Sequence, residues 1–323
     1  MNILVTGGAG YIGSHTAKAI AAAGHRPVVF DNLDKGHDWA VRWGPLIRAD
    51  LADRSAIRDA LKSHAIDAVI HFAAFTAVGE SMQAPEKYFR NNVANTLNLL
   101  GAMEEAAVRR IVFSSTAAVY GNPLFAPIPE DHRTQPVNPY GESKLMMEKM
   151  IEWFGVVHGF RWACLRYFNA AGADPDGEIG ETHDPETHLI PLALSALTGG
   201  IPHLRMFGTD YPTPDGTAIR DYIHVTDLGS AHVLATEHLV AGGSSLIANL
   251  GTGEGNSVRE VVRTVEKVTG RAVPVVESPR REGDPPVLVA DAAKAQKTLG
   301  WTPRHSSLPE IISTAWAWHS RHA

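Results

Sequence analysis

Tyr140 and Lys144 lie four residues apart in the segment 139–144. The hydrophobic pattern predicts a helix over residues 140–154, and residues four apart share one helix face. A free tyrosine, with a pKa of about 10, is a poor base at neutral pH. A lysine cation beside it favours the phenolate and lowers that pKa. The pair therefore predicts a phenolic base that takes a proton from an alcohol.

The predicted strand that precedes this helix ends in a short polar run, Ser114-Ser115-Thr116. Ligands of parallel sheets lie at the carboxyl ends of the strands, so this run should face the site. We expect Ser115 or Thr116 to hydrogen-bond the same oxygen that Tyr140 deprotonates. The catalytic candidates are therefore Tyr140, Lys144, Thr116 and Ser115.

Several glycines lie in the first predicted turn of the chain. Gly8, Gly10 and Gly13 fit the spacing Gly-x-Gly-x-x-Gly, and Gly7 with the last two fits a looser Gly-x-x-Gly-x-x-Gly. They stand between a predicted strand, 3–5, and an alanine-rich predicted helix. Glycines in this position let the backbone approach a pyrophosphate, and the helix start offers free N–H groups. The turn therefore predicts a dinucleotide site.

Asp31 follows the next predicted strand, at 27–30, and indicates which dinucleotide is bound. A carboxylate here binds the adenosine ribose hydroxyls and repels a 2′-phosphate. Lys35 is the one cation nearby in the sequence that weakens this argument. We therefore expect NAD rather than NADP. The positive nicotinamide ring would lower the pKa of Tyr140 further.

Strand and helix patterns alternate through the first half of the chain, with strands over 67–72, 110–113 and 162–167. This alternation predicts an α/β fold with a Rossmann-like doubly wound parallel sheet, covered by helices on both faces.

The amino-acid composition changes after the first half of the chain. Two stretches, 169–191 and 208–216, are rich in glycine, proline and polar residues. We interpret them as parts of a smaller C-terminal α/β substrate-binding lobe. The expected domains are an NAD-binding domain over 1–170 and a substrate-binding domain over 171–323, with segments near 221–250 returning to the first.

The composition excludes several classes of protein. The 323 residues have 44% hydrophobic content and a formal net charge of −6, so we expect no nucleic-acid partner. No long apolar segment or signal peptide is evident, so we expect no membrane partner and a cytoplasmic location. The single cysteine, Cys164, excludes an internal disulfide and is expected to be buried.

Together these features resemble the extended short-chain dehydrogenase/reductase family, and within it the epimerases of sugar nucleotides. The resemblance extends over nearly the whole chain. It is carried by the motifs at 5–15 (VTGGAGYIGSH), 113–121 (FSSTAAVYG), 139–144 (PYGESK), 165–169 (LRYFN), 220–225 (RDYIHV) and 280–284 (RREGD). The resemblance implies that C4 of a UDP-sugar is oxidised by NAD and reduced again on its opposite face, in a homodimeric enzyme.

The resemblance also implies roles for individual residues. Tyr140 would be the base, Lys144 would tune it and bind the nicotinamide ribose, and Thr116 would contact the sugar O4. NAD would be bound by Gly7, Gly10, Tyr11, Ile12, Gly13, Asp31, Asn32, Asp50, Leu51, Phe72, Ala73, Ala74, Asn91, Ser114, Tyr140, Lys144 and Tyr167. The UDP-sugar would be bound by Thr116, Asn169, His188, Leu189, Arg205, Phe207, Arg220, Tyr222, Arg281, Asp284 and Leu288.

Four positions depart from the commonest pattern of these epimerases. Thr76 replaces a lysine near the cofactor, His188 replaces an asparagine near the sugar phosphates, and Arg205 replaces a small apolar residue beside the uracil. Leu288 stands where a tyrosine restricts some members to unacetylated sugars and a smaller residue in others admits N-acetyl groups. Leucine is intermediate in size, so the range of sugars stays open.

Three other functions compete with C4 epimerisation of UDP-glucose. A sugar-nucleotide 4,6-dehydratase would carry acidic residues after Thr116, where this chain has Ala117-Ala118. An epimerase of UDP-N-acetylglucosamine, or of UDP-xylose and UDP-arabinose, needs no new chemistry and stays open. A redox-sensing NAD-binding module could lose the Tyr140–Lys144 pair, which this chain keeps.

A possible metal loop contains Glu181, His183, Glu186 and His188. Their spacing is not that of ligands on one helix face. We therefore expect no metal site and interpret the segment as a solvated or substrate-facing loop.

Overall fold

The computed structural model describes residues 1–281 and 283–322, so Glu282 of the motif at 280–284 lies outside the described residues. Within these ranges the strands are β1 (Asn2–Thr6), β2 (Arg26–Asp31), β3 (Leu46–Arg48), β4 (Ala68–His71), β5 (Arg110–Thr116), β6 (Arg161–Tyr167), β7 (Asn169–Ala171), β8 (Leu204–Phe207), β9 (Ile219–Arg220), β10 (Tyr222–His224), β11 (Leu246–Leu250), β12 (Asn256–Ser257), β13 (Val275–Ser278) and β14 (Val287–Leu288).

The α-helices of the described residues are α1 (Tyr11–Ala22), α2 (Arg54–Ser63), α3 (Val78–Gln83), α4 (Pro85–Tyr88), α5 (Asn95–Glu105), α6 (Pro139–His158), α7 (Leu189–Thr198), α8 (Val225–Val240), α9 (Val258–Thr269), α10 (Ala293–Leu299) and α11 (Leu308–His322). None of them combines the length and apolar character that crossing a membrane requires.

Seven strands form a parallel sheet in the order β11-β6-β5-β4-β1-β2-β3. The chain runs outwards from β1 in both directions, first through β2 and β3 and then through β4, β5 and β6. Loops that leave β1 and β4 therefore diverge and open a crevice at the carboxyl edge of the sheet. The predicted Rossmann-like doubly wound sheet is confirmed.

Both faces of the sheet are buried, as the alternation along β1 illustrates. Ile3 and Val5 belong to one apolar cluster and Leu4 to another, and all three side chains are fully buried. On the first face α8 packs so closely on α1 that a Cβ added to Gly229 would lie 3.3 Å from the Cβ of Ala19. Cys164 is buried, as expected.

A smaller lobe follows the sheet strands. Its strands pair as β8 with β13, β7 with β10, and β9 with β12 and β14. Its helices α7, α9 and α11 contribute to a separate apolar cluster that includes Ile190, Val261 and Ile311. Because β11 returns to the edge of the large sheet, the chain passes from the lobe to the sheet and back again before α9.

One predicted helix differs from its observed form. The sequence predicts a helix over 92–107, but a π-helical turn, Phe89–Ala94, precedes α5. The side chain of Asn92 bonds the backbone of Phe75 and the Ser143 hydroxyl, at 2.9, 3.1 and 3.0 Å. A wider turn is common at functional sites, and here it connects the loop after β4 to α6, which carries Tyr140 and Lys144.

Candidate active site

The glycine turn between β1 and α1 closes tightly on its own backbone. A Cβ added to Gly13 would lie 2.2 Å from the carbonyl oxygen of Gly7, whose own φ is +72°. A Cβ added to Gly7 would lie 2.6 Å from the amide nitrogen of Ala73. Glycine at these two positions therefore lets the loop after β4 approach the turn.

The start of α1 is available to an anion. Gly10 precedes the helix, and no side chain among the described residues caps it. The first N–H groups of a helix have no intrahelical acceptor, so this end can bind a pyrophosphate. Tyr11 and Ile12 begin the helix and lie beside those groups. The turn therefore fits a dinucleotide.

Asp31 stands at the end of β2 and is positioned by the backbone. Its carboxylate accepts hydrogen bonds from the amides of Ala9, at 3.0 Å, and Leu33, at 2.8 Å. Burial raises the pKa of Asp31, and these two hydrogen bonds oppose that shift. Lys35 donates instead to the carbonyl of Asp184, at 3.0 Å. Lys35, the cation that weakened the argument for NAD over NADP, is therefore hydrogen-bonded to another part of the chain.

Other residues assigned to NAD follow neighbouring strands. Asn32 follows β2 and donates to the carboxylate of Asp50 at 2.7 Å. Leu51 is buried beyond β3. Asn91 lies in the π-helical turn and donates to Asn92 at 3.0 Å. The loop directly after β4 contributes Phe72, Ala73 and Ala74.

The catalytic helix α6 begins at a well-defined cap. The side chain of Asn138 accepts from the amide of Gly141 at 2.8 Å, and a proline occupies the first helical position. Lys144, one turn further along, is buried and donates from Nζ to the carbonyl of Ser114 at 2.9 Å. This bond ties the helix to the end of β5. The hydroxyl of Ser114 is hydrogen-bonded to Tyr167.

The electrostatics of the pair differ from the sequence argument. Burial raises the pKa of Tyr140, and the hydrogen bond with Thr116 lowers it. Burial also lowers the pKa of Lys144 to about 7, against the opposing charge of Glu148. Since Lys144 is only partly protonated at neutral pH, it does not make Tyr140 acidic alone. The Thr116 hydroxyl and the oxidised cofactor must contribute.

Ser115 and Thr116 lie in different surroundings although both were catalytic candidates. The Ser115 hydroxyl donates to the buried carboxylate of Glu148. The Thr116 side chain lies next to the phenol of Tyr140 and lowers its pKa, and the Thr116 hydroxyl accepts from the amide of Ala118 at 3.1 Å. Successive side chains of a strand point to opposite faces, which explains the difference. The structure therefore places Thr116, and not Ser115, with the phenol.

Replacing Thr116 by valine is expected to move the acidic limb of the kcat profile towards higher pH. The hydroxyl stabilises the phenolate, so its loss raises the pKa of Tyr140 and leaves less base at neutral pH. A hydrogen bond to a charged group is worth about 1.5–3 kcal/mol, which corresponds to a shift of about one to two pH units. The measurement is kcat as a function of pH.

Ser115→Ala is the matched control for this prediction. It removes the neighbouring hydroxyl, which contacts Glu148 rather than Tyr140. The acidic limb should then stay where it is in the unmodified protein. Equal shifts in the two variants would contradict the assignment of Thr116.

Charged and aromatic residues of the smaller lobe gather beside a cleft. Arg220 donates to the carboxylate of Asp284. The guanidinium groups of Arg281 and Arg205 lie 4.1 and 5.2 Å from the ring centroid of Phe207. Arg281 and Asp284 line a cleft of about 830 Å³. Arginine suits phosphate groups because its planar fork donates two parallel hydrogen bonds.

Strand pairing brings the remaining substrate candidates next to these residues. Asn169 lies opposite Tyr222 where β7 pairs with β10, and Leu288 lies opposite Arg220 where β14 pairs with β9. Leu288 also packs against an apolar cluster that includes Leu145 of α6. This contact connects the smaller lobe to the catalytic helix.

Two further candidates stand at the start of α7. His188 is the residue before the helix, and Leu189 is its first residue. The side chain of His188 is hydrogen-bonded to Glu181. The segment 181–188 therefore folds back on itself in a way that its spacing did not predict.

A buried ion pair beneath the catalytic helix was missed from the sequence. Arg166 donates to both carboxylate oxygens of Glu148, at 2.9 and 2.6 Å, and the side chains are 3% and 5% exposed. Arg166 also donates to the hydroxyl of Tyr120 at 3.1 Å. Glu148 is four residues beyond Lys144, so helical spacing from Tyr140 would have found it.

The doubly wound sheet, the glycine turn and the helix that carries Tyr140 and Lys144 define an NAD-dependent enzyme with a Rossmann-type cofactor domain. Comparison with known proteins gives a narrower assignment. Residues 3–251 match the NAD dependent epimerase/dehydratase family, and the chain belongs to that family.

Relatives share similarity over the full length. The chain is 51% identical to the UDP-glucose 4-epimerase of Halalkalibacterium halodurans over all of this chain and 96% of that protein. It resembles the UDP-glucose 4-epimerase of Brucella ovis in complex with NAD, with a TM-score of 0.96, 52% identity and coverage of 98% and 97% of the two chains.

A third relative was solved with a sugar nucleotide. This UDP-glucose-4-epimerase of Stenotrophomonas maltophila contains bound NAD and formylated UDP-arabinopyranose. The TM-score is 0.97 and the identity 42%, with all of both chains covered.

Proposed function

We propose that this protein interconverts UDP-glucose and UDP-galactose by inverting C4 of the hexose. The observation that carries the proposal is the placement of Tyr140 next to Thr116, which ends β5 at the carboxyl edge of the sheet. A base and a hydrogen-bonding hydroxyl are thereby placed together on one substrate oxygen. The full-length similarity to UDP-glucose 4-epimerases supports the choice of substrate.

Different residues of the chain have different roles in the proposed reaction. Tyr140 takes the proton of the 4-hydroxyl and later returns one, while Thr116 holds the same oxygen. The glycine turn and Asp31 would hold NAD, which would supply the hydride acceptor and donor for C4. Arg220 and Arg281 hold the diphosphate, so the 4-keto sugar can turn while its UDP stays bound. Binding energy is thus placed on the part of the substrate that does not react.

The surroundings of Thr116 favour epimerisation over dehydration. Ala117 and Ala118 follow it in a short 3₁₀ helix, and the Thr116 hydroxyl caps that helix by accepting from the amide of Ala118. An elimination of water would need an acid at this point, and alanine supplies none. The 4,6-dehydratase alternative is therefore disfavoured.

The proposal also concerns which UDP-sugars the protein accepts as substrates. Leu288 packs beside the catalytic helix, where its volume limits the space for a substituent on the sugar. UDP-N-acetylglucosamine and the UDP-xylose/UDP-arabinose pair are the alternative substrates. The relative solved with formylated UDP-arabinopyranose favours testing the second pair.

Separate incubations with UDP-galactose, UDP-N-acetylgalactosamine and UDP-arabinose, followed by chromatographic separation of the products, test the substrate. We expect conversion of UDP-galactose to UDP-glucose to be the most efficient. A higher kcat/KM for either of the other two would transfer the assignment to that sugar. A product that lacks one water would identify a dehydratase.

A homodimer belongs to the same proposal. Met146, Trp153, Val156 and Val157 of α6 are 39%, 63%, 72% and 66% exposed, and Leu97 of α5 is 50% exposed. Trp153 and Val157 lie four residues apart, so they share one face of the helix. Apolar patches of this kind mark protein interfaces. A second copy of the chain would cover this apolar patch of α5 and α6.

The double substitution Trp153→Glu/Val157→Glu is expected to yield monomers. Losing a large aromatic anchor from an interface costs at least about 2 kcal/mol, which weakens association by about 30-fold or more. Light scattering coupled to gel filtration measures the mass. Val276→Glu, at another exposed apolar residue in the smaller lobe, is the control and should leave the mass unchanged. A monomeric unmodified protein would contradict the proposal.

We further propose a cytoplasmic location and a role in galactose metabolism. The buried free thiol of Cys164 is compatible with a reducing compartment. Interconversion of UDP-glucose and UDP-galactose connects galactose to the cell's glucose nucleotides.

A further inference from the structure

The loop before α7 brings four metal-ligating side chains to one point. Glu181, His183, Glu186 and His188 each offer one ligand atom, and these atoms all lie within 4.8 Å of one another. Nδ1 of His183 lies 3.2 Å from a carboxylate oxygen of Glu181 and 3.6 Å from one of Glu186. Nδ1 of His188 lies 3.6 Å from Glu186 and is hydrogen-bonded to Glu181. The path of the loop therefore brings together four residues whose spacing in the sequence would not place them on one helix face.

Three of these separations are close to those of a tetrahedral zinc site. Nitrogen and oxygen ligands bind zinc at about 2.0–2.2 Å, which places neighbouring ligand atoms about 3.3–3.6 Å apart. Two imidazole nitrogens and two carboxylate oxygens are donors that zinc accepts. With neutral imidazoles the set carries two negative charges, which a divalent cation offsets.

A second carboxylate cluster offers a comparison, because a lysine of the chain itself occupies the place of the cation. Asp174, Asp176 and Glu178 surround Nζ of Lys18, at 2.7, 2.7 and 2.9 Å. Among the described residues, no lysine or arginine forms such an ion pair with Glu181 or Glu186. In the described loop before α7 the carboxylates are instead paired with histidines, which can themselves bind a metal ion.

The loop that carries these four residues also contacts the residues around the cofactor turn. The ring of His183 meets the edge of the Tyr11 ring at 6.1 Å between centroids. The carbonyls of the same loop accept from Lys35 at 3.0 Å and are bonded to His37 at 3.1 Å. The loop thus spans from the cofactor turn to the start of α7.

We propose that Glu181, His183, Glu186 and His188 form a structural zinc site that fixes the loop before α7 in the conformation in which His183 contacts Tyr11. Four protein ligands leave no open position for water or substrate, so the ion does no chemistry. Its binding energy instead stabilises the folded loop, since the unfolded chain has no preformed site. This replaces the expectation of a solvated or substrate-facing loop without metal.

Metal titration of the NAD-loaded protein, prepared without a histidine tag and dialysed against a chelator, tests the site. We expect about one zinc ion per chain, a rise of the melting temperature on adding zinc, and the intense visible absorption of tetrahedral cobalt when Co²⁺ is used instead. The variant His183→Gln/His188→Gln should lose all three effects. Asp176→Asn, from the cluster around Lys18, is the matched control and should keep them.

Two results would overturn the proposal. One is an unmodified protein that binds no zinc, which would make the cluster an ion-pair network only. The other is a double histidine variant that binds zinc as tightly as the unmodified protein. If that variant fails to fold, the stoichiometry and cobalt spectrum of the unmodified protein decide.

Discussion

Substituting Tyr140 by phenylalanine is expected to lower kcat by about 100- to 10,000-fold, the usual contribution of a general base. The ring stays in place, so the packing of α6 and the binding of NAD should change little. The lost hydroxyl is the group that bonds Thr116 and takes the proton of the substrate. Steady-state kinetics with UDP-galactose and the absorbance of bound NAD measure the two effects.

Tyr88→Phe is the control for this variant. Its hydroxyl is also partly buried, but it donates to the carbonyl of Ala77 and to Glu80, at 2.7 and 2.9 Å. We expect kcat to stay within a few-fold of its unmodified value. Turnover by Tyr140→Phe at a rate close to that of Tyr88→Phe would remove the phenol from the mechanism.

The second large effect concerns stability. Arg166→Leu is expected to lower the free energy of unfolding by about 3–5 kcal/mol, because it leaves a buried charge without its partner. Glu148 would keep only the Ser115 hydroxyl as a hydrogen-bond donor. Urea denaturation of the purified variant measures this loss.

Two further variants show whether the loss comes from the unpaired charge. Arg166→Leu/Glu148→Leu should recover much of the stability, since removing both buried charges is often close to neutral. Arg90→Leu breaks the pair with Glu86, whose side chains are 76% and 83% exposed, and should cost less than about 1 kcal/mol. Equal losses in Arg166→Leu and Arg90→Leu would contradict the account.

Local spacing explains why much of the site was predictable. The glycines of 7–13 lie in one turn and Tyr140 and Lys144 lie on one helix, so their spacing can be read from the sequence, although Lys144 bonds the distant Ser114. The parallel sheet follows from the alternation of strands and helices. Residue alternation along β5 would also have separated Ser115 from Thr116, had it been applied.

Contacts between distant segments could not be derived in the same way. Arg166 meets Glu148 only after β6 is placed beside α6, and Arg220 meets Asp284 across 64 positions of the chain. The loop 181–188 has no regular structure, so its side chains converge through the path of the backbone rather than through a periodic pattern. The pKa of Lys144 likewise depends on burial that only the packed fold determines.

The acidity of the Tyr140 phenol in the NAD-loaded protein tests the central claim most directly. Burial raises the pKa of all seven tyrosines, so an ionisation near neutral pH is assigned to Tyr140 by its loss in Tyr140→Phe; the other six are Tyr11, Tyr88, Tyr120, Tyr167, Tyr211 and Tyr222. The measurement is ultraviolet difference titration of the unmodified protein against Tyr140→Phe. The account predicts one phenol ionising below about pH 8, and a phenol that stays protonated above about pH 9 would contradict it.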